Sequence, residues 1–117
     1  WSSGKDVPRW TSRPQLGKKQ WVEGYFLEPR KVRDIGIYWM QDQQDVKFPK
    51  EWSLEVRNKG EWRPFELYVT DRYDNRANQY NVVHPAAPLT CDAIRIKMTP
   101  KENAAVGILE IQVKFEK

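Results

Sequence analysis

Apolar residues in this chain recur every second position, and that period leaves little room for anything but strands. In WSLEVR (52–57) Trp52, Leu54 and Val56 fall on one face, with Ser53, Glu55 and Arg57 on the other. AIRIKM (93–98) puts Ile94, Ile96 and Met98 inward and Arg95 and Lys97 outward. ILEIQVKF (108–115) alternates Leu109, Ile111, Val113 and Phe115 with Glu110, Gln112 and Lys114. A helix would wind such residues around its whole circumference and bury none of them well.

The same reading extends to the remaining segments. WVEGYFL (21–27) is a strand with Val22 and Phe26 facing one way and Trp21, Glu23 and Tyr25 the other, closed by Pro29. VRDIGIYWM (32–40) follows, with Ile35, Ile37 and Trp39 on a common face. Asn58-Lys59-Gly60 is a turn signal returning the chain into WRPFELYV (62–69), where Pro64 marks an edge or a bulge. YNVV (80–83) is a short strand ended by His84-Pro85. Trp21, Trp52 and Trp62 are expected as core or edge cover, Tyr68 and Tyr80 as packed residues, and Glu110 as a cross-sheet partner of Arg95.

These segments predict an all-β domain, an antiparallel β-sandwich over residues 21–117, with a small closed barrel as the alternative. Residues 1–20, broken by Gly4, Pro8, Pro14 and Gly17, form an irregular lead-in to the same domain. A length of 117 residues fits one domain, and 15 aromatic side chains (six Trp, five Tyr, four Phe) suffice for a core.

Function classes narrow by elimination. Cys91 is the single cysteine and His84 the single histidine, so neither an internal disulfide nor a Cys/His zinc cluster is expected. The acidic residues scatter over loops and outward strand faces, with no pair seated for acid–base hydrolysis. No apolar run is long enough for a membrane span, and no enzyme is expected of this chain. A start at Trp1 without Met fits a processed product or a piece of something longer.

The net charge of +4 is uneven: residues 1–33 hold eight basic against three acidic residues. Such a balance suits an anionic glycan or nucleic acid, although spaced single charges on a solvated rim would look the same. Nucleic acid is disfavoured, because these basic residues alternate with Pro, Gly and Trp rather than marking one strand face.

Sugar recognition needs a ring to lie on the C–H face of a pyranose and polar groups for its hydroxyls. Three loop sets offer that chemistry: Trp10 with Arg13, the polar run containing Gln41, Asp42 and Asp45, and Tyr73-Asp74-Asn75-Arg76 in the longest internal loop. In each case the plain alternative is a packed aromatic or a solvated turn. No metal site is expected among them, since their spacing matches no calcium loop.

WVEGYFLEPRKVRDIGIYWMQD, VKFPKEWSLEVRNKGEWRPF, QYNVV, CDAIRIKMTP and AAVGILEIQV together resemble the discoidin-like (factor 5/8 type C) domains. The nearest variant is the one fused to bacterial glycoside hydrolases, including the family 127-like group. The resemblance covers roughly residues 21–115 and implies a galactose-binding-like jelly roll with its ligand on loops at one end. It implies a secreted, periplasmic or cell-surface bacterial setting, and a carbohydrate-binding or accessory module beside the catalytic domain of a parent glycoside hydrolase. A packing domain without glycan affinity and a basic, aromatic nucleic-acid binder are the rival readings.

Two departures stand out. Such domains usually begin with a further strand and an Asn-Asp-Gly turn at a structural calcium site, and this chain starts after that place. The expectation is a sandwich lacking its first strand, supplied by another chain or another part of the parent, or a calcium site that is absent. No cofactor is expected, except a structural calcium ion where that N-terminal region is present. Gly24 also stands where a large residue is usual, leaving a pocket or marking a close backbone approach.

Overall fold

The longest strand organises the molecule. In the computed structural model, which describes residues 10–12 and 16–117, β2 (Gln20–Met40) runs for 21 residues and changes partners halfway. Its first part pairs with β6 (Leu89–Thr99), from Gln20↔Met98 to Tyr25↔Ala93. Its second part pairs on one side with β7 (Gly107–Phe115) and on the other with β5 (Tyr80–Val83). Pro29 does not close a strand here, contrary to the expectation from sequence. It lies in the exposed stretch Leu27–Lys31, where the register with β6 slips between Tyr25 and Arg30, so its missing N–H leaves no gap in a buried ladder.

This bend curls a single antiparallel sheet over on itself. The order is β1-β7-β2-β6-β3-β4, with β5 attached to β2; here β1 is Trp10–Thr11, β3 Glu51–Asn58 and β4 Glu61–Pro64. One half contains β4, β3, β6 and the start of β2, and the other contains β5, the end of β2, β7 and β1. The result is the antiparallel β-sandwich that alternation implied, of the jelly-roll, galactose-binding-like type that the resemblance implied.

Between the halves lie the residues whose phase pointed inward. Ile35, Ile37 and Trp39 from one half meet Trp52, Leu54, Val56, Ile94, Ile96 and Met98 from the other, all buried. The Trp39 and Trp52 rings approach edge-on at 5.3 Å. Gly24 is buried in β2 opposite Ile94. Gly107 marks a close approach: a Cβ there would meet Met40 and Val46 side chains at 2.8 Å.

Several local expectations change. The strand foreseen over 62–69 is only Glu61–Pro64, at the sheet edge where Pro64 was expected, and the chain then leaves the ladder. Tyr68 is exposed, having no strand to pack it. Glu110 does not reach Arg95 but accepts a hydrogen bond from the Tyr80 hydroxyl at 3.0 Å. Arg95 instead sits between Glu23 and Glu55 in register across three strands, donating to them at 2.6 and 3.0 Å. Burial tends to raise the Glu23 carboxyl, but hydrogen bonds from Tyr25 and Arg95 outweigh it and hold the group below the usual carboxylate range.

Candidate functional site

Strand polarity brings four connections to one end of the sandwich: 12–19, 41–50, 65–79 and 100–106. Three of them, 12–19, 41–50 and 100–106, are tied to one another by main-chain hydrogen bonds. Ser12 N–H donates to Val106 O at 3.0 Å, Gly17 N–H to Ala104 O at 2.8 Å, Lys47 N–H to Ala105 O at 2.9 Å and Ala105 N–H to Asp45 O at 2.8 Å. Of the loop residues singled out from sequence, Gln41, Asp42, Asp45, Tyr73, Asp74, Asn75 and Arg76 belong to this end. Trp10 opens β1 opposite Ile108, and Arg13 lies outside the described residues.

Several of these residues hold the loops together. Asp42 Oδ1 accepts the N–H groups of Gln44 and Val46 at 2.9 and 3.0 Å, folding the turn it belongs to. Tyr73, offered from sequence as a ligand-facing ring, is half-buried with that ring 4.7 Å from Trp52. Its hydroxyl accepts from Leu54 N–H at 3.2 Å and donates to Phe65 O at 3.4 Å. Burial pushes that hydroxyl above its ordinary pKa despite the opposing Leu54 contact. Asn75 donates to Pro49 O at 2.8 Å, and Asp74 O accepts the Trp52 indole N–H at 2.8 Å.

Gln41 is exposed, as is Arg76, whose guanidinium stands 3.4 Å from the Asp74 carboxylate. The Arg76 segment is fixed by a residue that sequence reasoning passed over. Buried Asn81 accepts Arg76 N–H at 2.7 Å and shares its amide protons among Ile37 O, Arg76 O and Gln79 O at 3.1–3.4 Å. Only its polarity inside the YNVV strand hinted at this role.

The second residue missed is Trp21. It was expected as cover, yet it is 59% exposed on the outer face of the sheet, at the rim of the loop-bearing end. Beside it opens a groove of about 500 Å³, framed by two rows of the ladder. Trp21, Lys97 and Ser53 lie side by side on β2, β6 and β3; one step towards the rim, Thr99 faces Glu51, and Lys19 adjoins Trp21. The signal was available, because Trp21 has the opposite phase to buried Val22.

The outer face continues away from this rim. The Arg95 guanidinium stacks on Trp62 at 3.9 Å and lies 5.5 Å from the Trp21 ring. Arg57 covers Tyr25 and makes two hydrogen bonds to Asp92, at 2.9 and 3.2 Å. The arrangement places one exposed indole face beside hydroxyl, ammonium and carboxylate groups, the inventory for a sugar ring and its hydroxyls.

Groups suited to covalent chemistry are absorbed into the fold. Cys91 is buried and burial pushes its thiol up to about 11, so it stays protonated at neutral pH. His84 is latched to Asp71 Oδ2 through its N–H at 2.6 Å and its ring Nδ1 at 3.0 Å. Among the described residues no three His, Cys, Asp or Glu side chains cluster to hold a metal ion.

Residues 2–111 match the family model of the F5/8 type C domain, and the chain belongs to that family. Among solved structures it is similar to one of the Streptococcus pneumoniae β-galactosidase BgaA, with a TM-score of 0.72 and 20% identity over 93% of this chain and 75% of that one. The family 32 carbohydrate-binding module of Clostridium perfringens NanJ, solved in complex with galactose, aligns with a TM-score of 0.70 and 17% identity over 92% and 76%. The family 32 module of Streptococcus pneumoniae EndoD gives 0.65 and 19% over 92% and 75%. At these identities the likeness is one of fold. Among curated proteins, none matches the chain significantly.

Proposed function

We propose that this domain is a non-catalytic carbohydrate-binding accessory module of a secreted or cell-surface bacterial glycoside hydrolase. The observation that carries this reading is the exposed Trp21 ring beside its polar groove, at the end where the loops converge. A pyranose lies with its C–H face on Trp21, while Ser53, Thr99, Lys97 and Glu51 meet its hydroxyls. Gln41, Asp74 and Arg76, on loops of the same end that Asp42, Tyr73 and Asn75 hold in place, extend the surface for a longer glycan, together with Asp45. Affinity of one such groove is modest, and its use comes from raising the effective concentration of a tethered enzyme at its polysaccharide. The similar folds of two family 32 carbohydrate-binding modules support the reading.

A specific observation favours a second reading, a packing domain for a parent enzyme. Trp21, Tyr25 and Leu27 are all exposed on the first part of β2, and Leu27 is fully so. Calorimetric titration with a panel of neutral and acidic glycans separates the two. The carbohydrate reading expects saturable binding of one sugar class that falls at least about tenfold, or ~1.4 kcal/mol, in Trp21→Ala without loss of folding. A folded domain that binds no glycan in the panel favours packing.

A further inference from the structure

We propose that the Trp21 groove selects a sugar bearing a carboxylate, such as a uronic acid residue, over its neutral counterpart; this rests on the carbohydrate-binding reading of the same groove. Two ammonium groups border the indole. Lys97 lies directly opposite Trp21 in the β2–β6 register, and Lys19 precedes it by two positions on the rim. Both are exposed, so both reach a ligand seated on the ring.

The acids on this face leave those cations largely unspent. Glu23 and Glu55 are engaged by Arg95 at 2.6 and 3.0 Å, and Lys97 reaches Glu55 only at 3.6 Å, with its side chain 53% exposed. Among the described residues no ion pair takes Lys19. Among the described residues Glu51 is the single carboxylate lining the groove, against two ammonium groups. Exposed Lys18 and Lys50 flank the same rim, and the chain's net charge of +4 draws anions towards it.

A carboxylate on the pyranose then takes charge-assisted hydrogen bonds from Lys97 and Lys19 while the ring remains on Trp21. Ser53 and Thr99 hydroxyls bond the sugar hydroxyls, and Glu51 accepts from one of them rather than facing the ligand's acid group. Because both ammonium groups are solvated, the preference is moderate and weakens with salt.

The test compares tri-galacturonic acid with the neutral galactose trisaccharide of the same linkage, by calorimetry on the full chain at about 0.15 M salt. The acidic sugar is expected to bind about tenfold more tightly. Lys19→Gln with Lys97→Gln collapses that ratio towards one, whereas Lys19→Arg with Lys97→Arg keeps it. Equal or stronger binding of the neutral sugar overturns the acidic preference and leaves the carbohydrate reading standing. Failure of both sugars to bind overturns the acidic preference, and the carbohydrate reading falls with it only when no other glycan of the panel binds. A single-stranded oligonucleotide that outcompetes the acidic sugar, with a steep salt slope, also overturns the preference and makes the groove an electrostatic surface for nucleic acid.

Discussion

Trp52→Ala is expected to cost the domain about 3–5 kcal/mol, the range for deleting a buried Trp side chain, and to leave it largely unfolded at physiological temperature. Trp52 is 4% exposed and sits between Trp39 at 5.3 Å and Tyr73 at 4.7 Å, so alanine leaves a void on two aromatic neighbours at once. Its indole N–H also fastens Asp74 O, the point where the core holds the 65–79 loop. Trp52→Phe isolates that second role: it retains most of the packing, loses the hydrogen bond, and costs about 1–2 kcal/mol. Urea unfolding monitored by circular dichroism measures both values. A Trp52→Ala loss below 1 kcal/mol would show that this aromatic row is not the support of the loop-bearing end.

Asn81→Ala carries the next largest effect, a loss of about 2–3 kcal/mol. The substitution strands Arg76 N–H and deprives the Ile37, Arg76 and Gln79 carbonyls of a donor, with the site 5% exposed and little solvent to replace it. Asn78, at φ +59°, is held in its left-handed conformation inside this same turn. Asn81→Asp is expected to be at least as damaging, because a carboxylate still accepts from Arg76 N–H but faces the Ile37 and Arg76 carbonyls without protons to offer. Hydrogen exchange should show the amides of residues 76–80 losing protection in both variants. Unchanged exchange there would remove Asn81 as the fastener of the segment.

How far the fold was legible depended on how local each signal was. Two-residue alternation is a property of neighbouring positions, and it placed Ile35, Ile37, Trp39, Leu54 and Ile96 inward as found. Pro29 misled because a proline ends a strand only where a ladder needs its N–H, and the bend of β2 does not. Phase already turned Trp21 away from Val22. Whether something covered it depended on β6 and β3, which contribute Lys97 and Ser53 from 76 and 32 positions further along the chain.

The loop candidates show the converse. Tyr73 and Asn75 have the chemistry of a ligand-facing pair, but a loop packed over a core edge must satisfy its own polar groups, and those side chains serve Leu54, Phe65 and Pro49. Composition does not separate a polar group that binds a ligand from one that holds a loop. Register and packing do.

The most direct test of the central claim is a two-dimensional nuclear magnetic resonance titration of the six tryptophan indole N–H groups with the glycan that binds best in the panel. Site-specific substitution assigns the Trp21 signal. The Trp21 groove predicts that this signal moves saturably and further than any other, while that of Trp52, committed to Asp74 O, stays nearly still. A stationary Trp21 signal with saturable movement at Trp10 would contradict it and place the site at β1 and the lead-in.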